Sequence, residues 1–236
     1  MKLSIIIPIF NEQDTVLQVL DYINSVCFPE FILEVELIVV DDCSTDKTAQ
    51  RLEKYICHYP IKIISHSKNQ GKGAAVRNGF KNATGDVFLI QDADLELSPD
   101  DIPEMLNAMQ KLNVEFVNGS RYMSGMIRPL SSYKRYLANR FFTFLTSVLI
   151  DVKLTDMACG YKLIHRNLCE KLNLRENRFG FEAEMIIKAL RVKRNNVTEV
   201  PVNYFPRNDG EGKKLKNSDG FKILWTVIKY GLFRAK

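Results

Sequence analysis

Apolar residues along the first half of the chain fall into two alternating patterns. Leu3 to Phe10 is a nearly unbroken apolar run, which suits a strand buried on both faces of a parallel sheet. Val16, Leu17, Leu20 and Ile23 then recur at helical spacing within Thr15 to Val26. The alternation repeats. VELIVVDD predicts a second strand, and Ser44, Thr45 and Asp46 offer N-caps for a helix running through Ile56. IKIISH predicts a third strand, followed by a helix from Lys72 to Asn82 that Gly85 closes. DVFLIQD predicts a fourth strand, and Pro99 with Asp100 and Asp101 opens a helix from Ile102 to Leu112. VEFVNGS predicts a fifth. The pattern is that of an α/β fold: a Rossmann-like open, mostly parallel sheet with helices on both faces.

The second half is less regular. Ser132 to Ile150 reads as a helix, strongly apolar near its end. TDMACGYKLIH predicts a turn and a short strand, FGFEAEMIIKAL a helix from Gly180, and NNVTEVPVNYF a strand whose pairing Pro201 and Pro206 limit. RNDGEGKKLKNSDG is a polar, basic loop. No Pro/Gly/Ser linker divides the chain, so residues 1–236 are read as one domain. Residues 1–122 form its ligand-binding half, and 123–236 a second half with the basic loop and a C-terminal amphipathic helix.

Composition narrows the class. Of 236 residues, 46% are hydrophobic and 26% charged, which is ordinary for a chain that buries a core. Cys27, Cys43, Cys57, Cys159 and Cys169 are odd in number and lack C-x-x-C spacing, so reduced and mostly buried thiols are expected. His58, His66 and His165 are scattered, which argues against zinc. MKLSIIIPIFNE lacks the features of a signal peptide, and no stretch reaches the roughly 18 apolar residues that span a bilayer. FFTFLTSVLI and FKILWTVIKYGLF are apolar but short. A cytoplasmic protein, soluble or peripheral, is expected. Net charge is +5, and from Arg207 onward cations such as Lys213, Lys214, Lys216, Lys222 and Lys229 outnumber acids. That bias favours anionic partners, or is a solvated basic face. No nucleic-acid module is present, so nucleic-acid binding is excluded.

In open α/β sheets ligands bind beyond the carboxyl ends of the strands. There the sequence places Asn11 and Glu12, Asp41 and Asp42, Asp92 and Asp94, and Ser120 and Arg121. Asp92-Ala93-Asp94 puts two carboxylates where they can converge on one hard divalent ion, with Glu96 continuing the alternation. D-x-D alone is mostly a surface turn; its place directly after a buried strand raises it. Asp42 can accept hydrogen bonds from a base or ribose, or cap the next helix. NQGKGAAVRNG lacks phosphate-loop spacing, yet Lys72 and Arg77 can still reach a nucleotide. Glu182 and Glu184 start a helix, where dipole complementation alone favours glutamate.

In series, SIIIPIFNE, VVDDCSTDKT, NQGKGAAVRNG, GDVFLIQDADLE, NGSRY, DMACGYKL and FGFEAE resemble the family 2 glycosyltransferases over most of the chain. NGSRY and YFPRNDGEGKKLK resemble most the dolichyl-phosphate mannose and glucose synthase branch and its bacterial polyprenyl-phosphate relatives. The resemblance implies a glycosyltransferase A fold and an inverting, Mg2+- or Mn2+-assisted transfer of a hexose from a GDP-mannose- or UDP-glucose-type donor. Carried over by position, Pro8, Phe10, Glu12 and Asp42, with Lys72 and Asp92, hold the nucleotide. Asp92, Asp94 and Glu96 hold the metal. Arg121, Arg207 and Lys213 grip acceptor and donor phosphates, and are expected to matter more for phosphate handling than for folding. Phe10 stands where this branch often has tyrosine, and GEGKKLK replaces a GESKL-like run. The acceptor implied is a polyprenyl or dolichyl phosphate, already anionic and in no need of a base. The alternative is a saccharide or protein hydroxyl in cell-surface polysaccharide synthesis, with Glu182 or Asp156 as base. The first reading implies an enzyme on the cytoplasmic face of a membrane, bound to its anionic surface, with or without a membrane-protein partner. Lys222 and Lys229, seven residues apart in the last helix, would face the headgroups.

Nothing in the chain is placed as a covalent nucleophile, so one displacement should invert the anomeric carbon. NMR assignment of an α-configured product from an α-linked donor would contradict this.

Overall fold

The computed structural model describes residues 1–123, 132–207 and 217–233. The elements alternate as the hydrophobic pattern predicts: β1 (Lys2–Ile9), α1 (Val16–Ser25), β2 (Glu34–Asp41), α2 (Thr48–Glu53), β3 (Ile61–Ser65), α3 (Lys72–Asn82), β4 (Val87–Ile90), α4 (Ile102–Leu112) and β5 (Phe116–Ser120). Then come α5 (Tyr133–Ile150), β6 (Lys162–His165), α6 (Arg166–Leu172), α7 (Phe181–Val192), β7 (Val197–Pro201) and α8 (Asn217–Gly231). Asn113, Asp151 and Asn173, which end α4, α5 and α6, are left-handed, a conformation that Asn and Asp tolerate best among residues with a Cβ.

All seven strands join one sheet in the order β3-β2-β1-β4-β6-β5-β7. β3, β2, β1 and β4 run parallel, as do β5 and β7. β6 lies antiparallel between β4 and β5. The sequence pattern placed β5 simply after β4. Its actual neighbour is a four-residue run, KLIH, supplied by the second half of the chain, and so short a run carries little information about its partner.

Alternate side chains of the central strands feed two cores. Leu3, Ile5, Ile7, Leu37, Val39 and Leu89 pack with α1 and α4 on one face. Ile6, Ile38, Val40, Phe88, Ile90 and Ile164 pack with α3, α6, α7 and α8 on the other. Burial on both faces accounts for the unbroken apolar runs. Helix α6 was not read from the sequence, because seven residues with Leu168, Cys169 and Leu172 buried are too few to show a period. The predicted last strand stops at Pro201, and beyond it Tyr204 makes a single bridge to Leu97. All five cysteines are free, but only Cys159 and Cys169 are buried, fewer than expected.

At the amino ends of the strands, Glu36 is buried. It accepts from Ser4 Oγ at 2.6 Å, Thr84 N at 2.6 Å and Thr84 Oγ1 at 2.8 Å, and pairs with Lys2 at 3.3 Å. Burial opposes its charge. These donors outweigh it and hold the Glu36 carboxyl at about 2, below its ordinary 4.5. A depressed folded-state pKa stabilises above the unfolded value and fades as pH falls through the folded one. Glu36→Gln should therefore cost about 1–3 kcal/mol at pH 7, as expected for hydrogen bonds to a charged group. The gap from wild type should shrink as pH falls from 4.5 toward 2. Urea unfolding at several pH values checks both the cost and its direction.

Candidate active site

At the carboxyl edge of the sheet, β4 ends and Asp92 follows. Lys72, the first residue of α3, puts its Nζ at 2.8 and 2.9 Å from the two Asp92 oxygens and 2.9 Å from Glu182 Oε1. Burial opposes a charge on Lys72, but the two carboxylates win and raise its pKa. Two glycines make room. Gly71, at φ +99°, turns the chain into α3, a conformation in which other residues would be strained. A Cβ on Gly160 would lie 2.3 Å from Asp92 Oδ2.

Asp94 Oδ1 accepts from Glu96 N at 3.1 Å. Burial first, then the charges of Asp92 and Glu96, push the Asp94 carboxyl up to about 7, with Arg207 partly offsetting them. Glu96 is turned aside. It accepts from Tyr204 OH at 3.3 Å and Arg207 N at 3.0 Å. Among the described residues, no three His, Cys, Asp or Glu side chains form a group that could hold a metal ion. The expected Asp92-Asp94-Glu96 set is therefore not assembled, because Glu96 serves the 204–207 segment instead.

That segment straps the D-x-D loop. Phe205 N donates to Glu96 O at 2.9 Å, and Asn203 bonds Asp101 twice at 2.7 Å. Arg207 donates from Nε to Asp94 O at 2.8 Å and from Nη2 to Glu12 Oε2 at 2.7 Å. Residues separated by most of the chain thus meet at one edge.

Arg121 follows β5 and meets Asp156, which is 0% exposed. Nε lies 2.7 Å from Oδ2, Nη2 2.9 Å from Oδ1 and the backbone N 3.1 Å from Oδ2. Asn139 Nδ2 adds a donor at 2.8 Å. The guanidinium also sits 5.5 Å from the Tyr122 ring and 5.2 Å from the Tyr204 ring. Burial penalises both charges, but the bidentate pair outweighs it: the Arg121 pKa is raised well above its usual value and that of Asp156 is lowered.

Asp42 is not a helix cap. Its carboxylate accepts from Gln70 N at 2.8 Å and Gly71 N at 2.7 Å, with His66 Nδ1 at 2.7 Å. Asp46, one residue before the N-cap position Lys47, accepts from Thr48 N at 2.9 Å. Pro8 and Phe10 are half-buried at the end of β1, and Glu12 is buried. Arg77 turns away to Leu174 O and Asn177 Oδ1. Lys213, with most of the basic loop, lies outside the described residues. The edge therefore brings together Lys72, Asp92, Asp94, Glu96, Glu182, Glu12 and Arg207, with Arg121 and Asp156 joined to them through Tyr204. Sequence reasoning missed His66, Asn139, Gly160 and Tyr204. His66 carried a signal as the polar residue ending the third predicted strand, and Gly160 and Tyr204 lay within the quoted motifs DMACGYKL and YFPRNDGEGKKLK.

The sequence profile described as glycosyl transferase family 2 matches residues 4–172. A dolichol-phosphate mannosyltransferase of Pyrococcus furiosus is 31% identical over 231 residues, covering 97% of this chain and 63% of that protein. The chain thus spans less than two thirds of that relative's length. A dolichyl-phosphate beta-glucosyltransferase of Trichomonas vaginalis is 28% identical over 243 residues, 98% of this chain and 73% of the relative. Among solved structures, glucosyl-3-phosphoglycerate synthase of Mycobacterium tuberculosis, in complex with Mn2+, UDP and phosphoglyceric acid, superposes with a TM-score of 0.74. It is 18% identical, and the match covers 98% of this chain and 78% of that one. The TarS protein of S. aureus, in complex with UDP-GlcNAc, gives 0.64 at 18% identity, over 96% and 65%. These likenesses show the fold, that of the glycosyltransferase A enzymes. With the profile covering most of its length, the chain belongs to glycosyl transferase family 2.

Proposed function

We propose that the protein is an inverting glycosyltransferase that moves a hexose from a nucleotide sugar to a polyprenyl or dolichyl phosphate with help from a divalent cation. One observation carries the reading. Both acids named as candidate bases are held in ion pairs, Asp156 by Arg121 and Glu182 by Lys72. A hydroxyl acceptor needs a base to take its proton; a phosphate brings its own negative oxygen and needs cations to aim it. The names of the archaeal and protozoan relatives point to the same acceptor class.

In this reading a phosphate oxygen of the acceptor bonds to the anomeric carbon while the bond from that carbon to the donor diphosphate breaks. The diphosphate leaves with the electron pair. Arg121 grips the acceptor phosphate, with its fork held by Asp156, which acts on Arg121 rather than on the proton. Arg207 handles the donor phosphates, a role the resemblance also gives Lys213. Lys72 orients Asp92 toward the nucleotide, with Pro8, Phe10, Glu12 and Asp42 around the nucleoside. Asp94, a half-buried oxygen donor burdened by neighbouring negative charge, would hold Mg2+ or Mn2+, with Asp92 beside it. When bound, the ion neutralises charge developing on the leaving diphosphate.

Membrane contact belongs to the same proposal. Leu137, Phe141, Phe144 and Val148 stand exposed along one stripe of α5, and Phe221 and Trp225 are exposed on α8, with Phe233 just beyond it. Among the described residues no helix is long and apolar enough to cross a membrane. Such stripes suit helices lying in the interface on the cytoplasmic face. Lys229 is not free for headgroups, because it pairs with Glu176 at 2.9 Å. Tyr230 is buried in the core.

Five outcomes test the proposal. Asp94→Asn should abolish metal-dependent turnover. In wild type, Mn2+ affinity should rise with pH through about 7, since the ion must displace the Asp94 proton; a titration flat in pH would contradict this. Arg121→Ala strands the buried Asp156 charge and should destabilise the protein by about 3–5 kcal/mol, contrary to the expectation that phosphate-gripping residues are neutral for folding. Arg121→Lys keeps the charge but loses the fork, so it is the better probe. It should lower kcat/KM for polyprenyl phosphate by about 10–100-fold, in line with losing one charge-assisted hydrogen bond. Finally, the protein should float with anionic liposomes, and Phe144→Ser with Trp225→Ser should weaken flotation without unfolding it.

A further inference from the structure

Lysine is almost never fully buried, and Lys162 is 0% exposed on β6. It is the registered partner of Asn118 on β5, which is in turn registered with Glu199 on β7. The three form a polar row across three adjacent strands. The row is bonded end to end. Lys162 Nζ donates to Asn118 Oδ1 at 2.6 Å and to Met157 O at 3.4 Å. Asn118 Nδ2 donates to Asp156 O at 2.8 Å and Glu199 Oε1 at 3.0 Å. Glu199 accepts from Thr155 N at 2.7 Å, Thr155 Oγ1 at 2.9 Å and Asp156 N at 3.3 Å.

The whole row therefore grips the backbone of residues 155–157, the segment whose next contact outward is the Asp156 carboxylate on Arg121. An apolar row would pack the sheet at lower cost, because a buried ammonium facing neutral acceptors is expensive. A carboxylate that must meet a guanidinium in a two-point fork needs its backbone held to a fraction of an ångström, and a row of directional bonds supplies that.

We propose that Lys162 is a positioning residue for glycosyl transfer, setting the aim of Arg121 at the acceptor phosphate through Asn118, Glu199 and Asp156. This rests on the reading of Arg121 given above. It assigns work to three residues outside the D-x-D loop, although Lys162 is registered with Ile90 at the strand end from which that loop leaves, and it predicts a defect chiefly on the acceptor side.

The test is a double-mutant cycle with steady-state kinetics on both substrates. Lys162→Met should lower kcat/KM for the polyprenyl phosphate by about tenfold or more while the donor KM stays within about twofold. Lys162→Arg, which keeps charge and donors, should restore most of the loss. In an Arg121→Lys background, adding Lys162→Met should cost less than about threefold more, because both changes damage one fork. Multiplying effects, or an acceptor kcat/KM unchanged in a folded Lys162→Met protein, would overturn the proposal. If Lys162→Met does not fold, Glu199→Gln enters the same cycle with the same two outcomes. A normal acceptor kcat/KM in Arg121→Lys alone would defeat the reading of Arg121, and this inference with it. A normal Lys162→Met beside a defective Arg121→Lys defeats the inference only.

Discussion

Asp92, Asp94 and Glu96 leave a buried strand within five residues of one another, and like charges so close are tolerated only if cations are delivered to them. The chain delivers two. Lys72 comes from the start of α3 and donates to both carboxylate oxygens of Asp92; Arg207 comes from beyond β7 and donates to the Asp94 carbonyl and Glu12. Much of the edge follows from this need. Gly71 turns α3 so that Lys72 points inward, Gly160 leaves Asp92 its space, and Tyr204 with the Arg207 backbone draws Glu96 aside. The neutralisation stops short of Asp94, whose carboxyl stays pushed up by burial and by its neighbours. That residual imbalance is the feature on which the proposed divalent ion rests.

The Arg121 side of the edge obeys a different rule. Arg121 is not a loose surface cation but one half of a buried pair, stacked between Tyr122 and Tyr204. Tyr204 touches both halves of the edge, lying over Arg121 and donating to Glu96. The two sides are therefore packed against each other, so that a donor diphosphate and an acceptor phosphate would meet preorganised charges rather than mobile side chains.

Much of this was legible in the sequence. Continuous apolar runs marked strands buried on both faces, helical spacing marked α1, α3, α4 and α7, and acids at strand ends marked the edge where the site lies. Local order was readable because strand and helix periods, caps and turn residues act over a few residues. Charge pattern was less reliable. Lys222 and Lys229 were grouped by spacing alone, yet Lys229 folds back to Glu176.

What the sequence by itself determined was therefore the α/β alternation, the D-x-D at the end of β4, the series of acids beyond β1 and β2, and the order of motifs that marks the family. What only the tertiary structure decided was which residues meet. β6 had to be seen between β4 and β5 before Lys162, Asn118 and Glu199 became a row. Asp156, 35 residues along the chain from Arg121, had to be seen under it before their buried ion pair was known. Glu96 had to be seen against Tyr204 before its ties to the 204–207 segment were known. The physical reason is the same in each case: a hydrogen bond or ion pair acts over about 3 Å, and only folding brings groups that far apart in sequence to that distance.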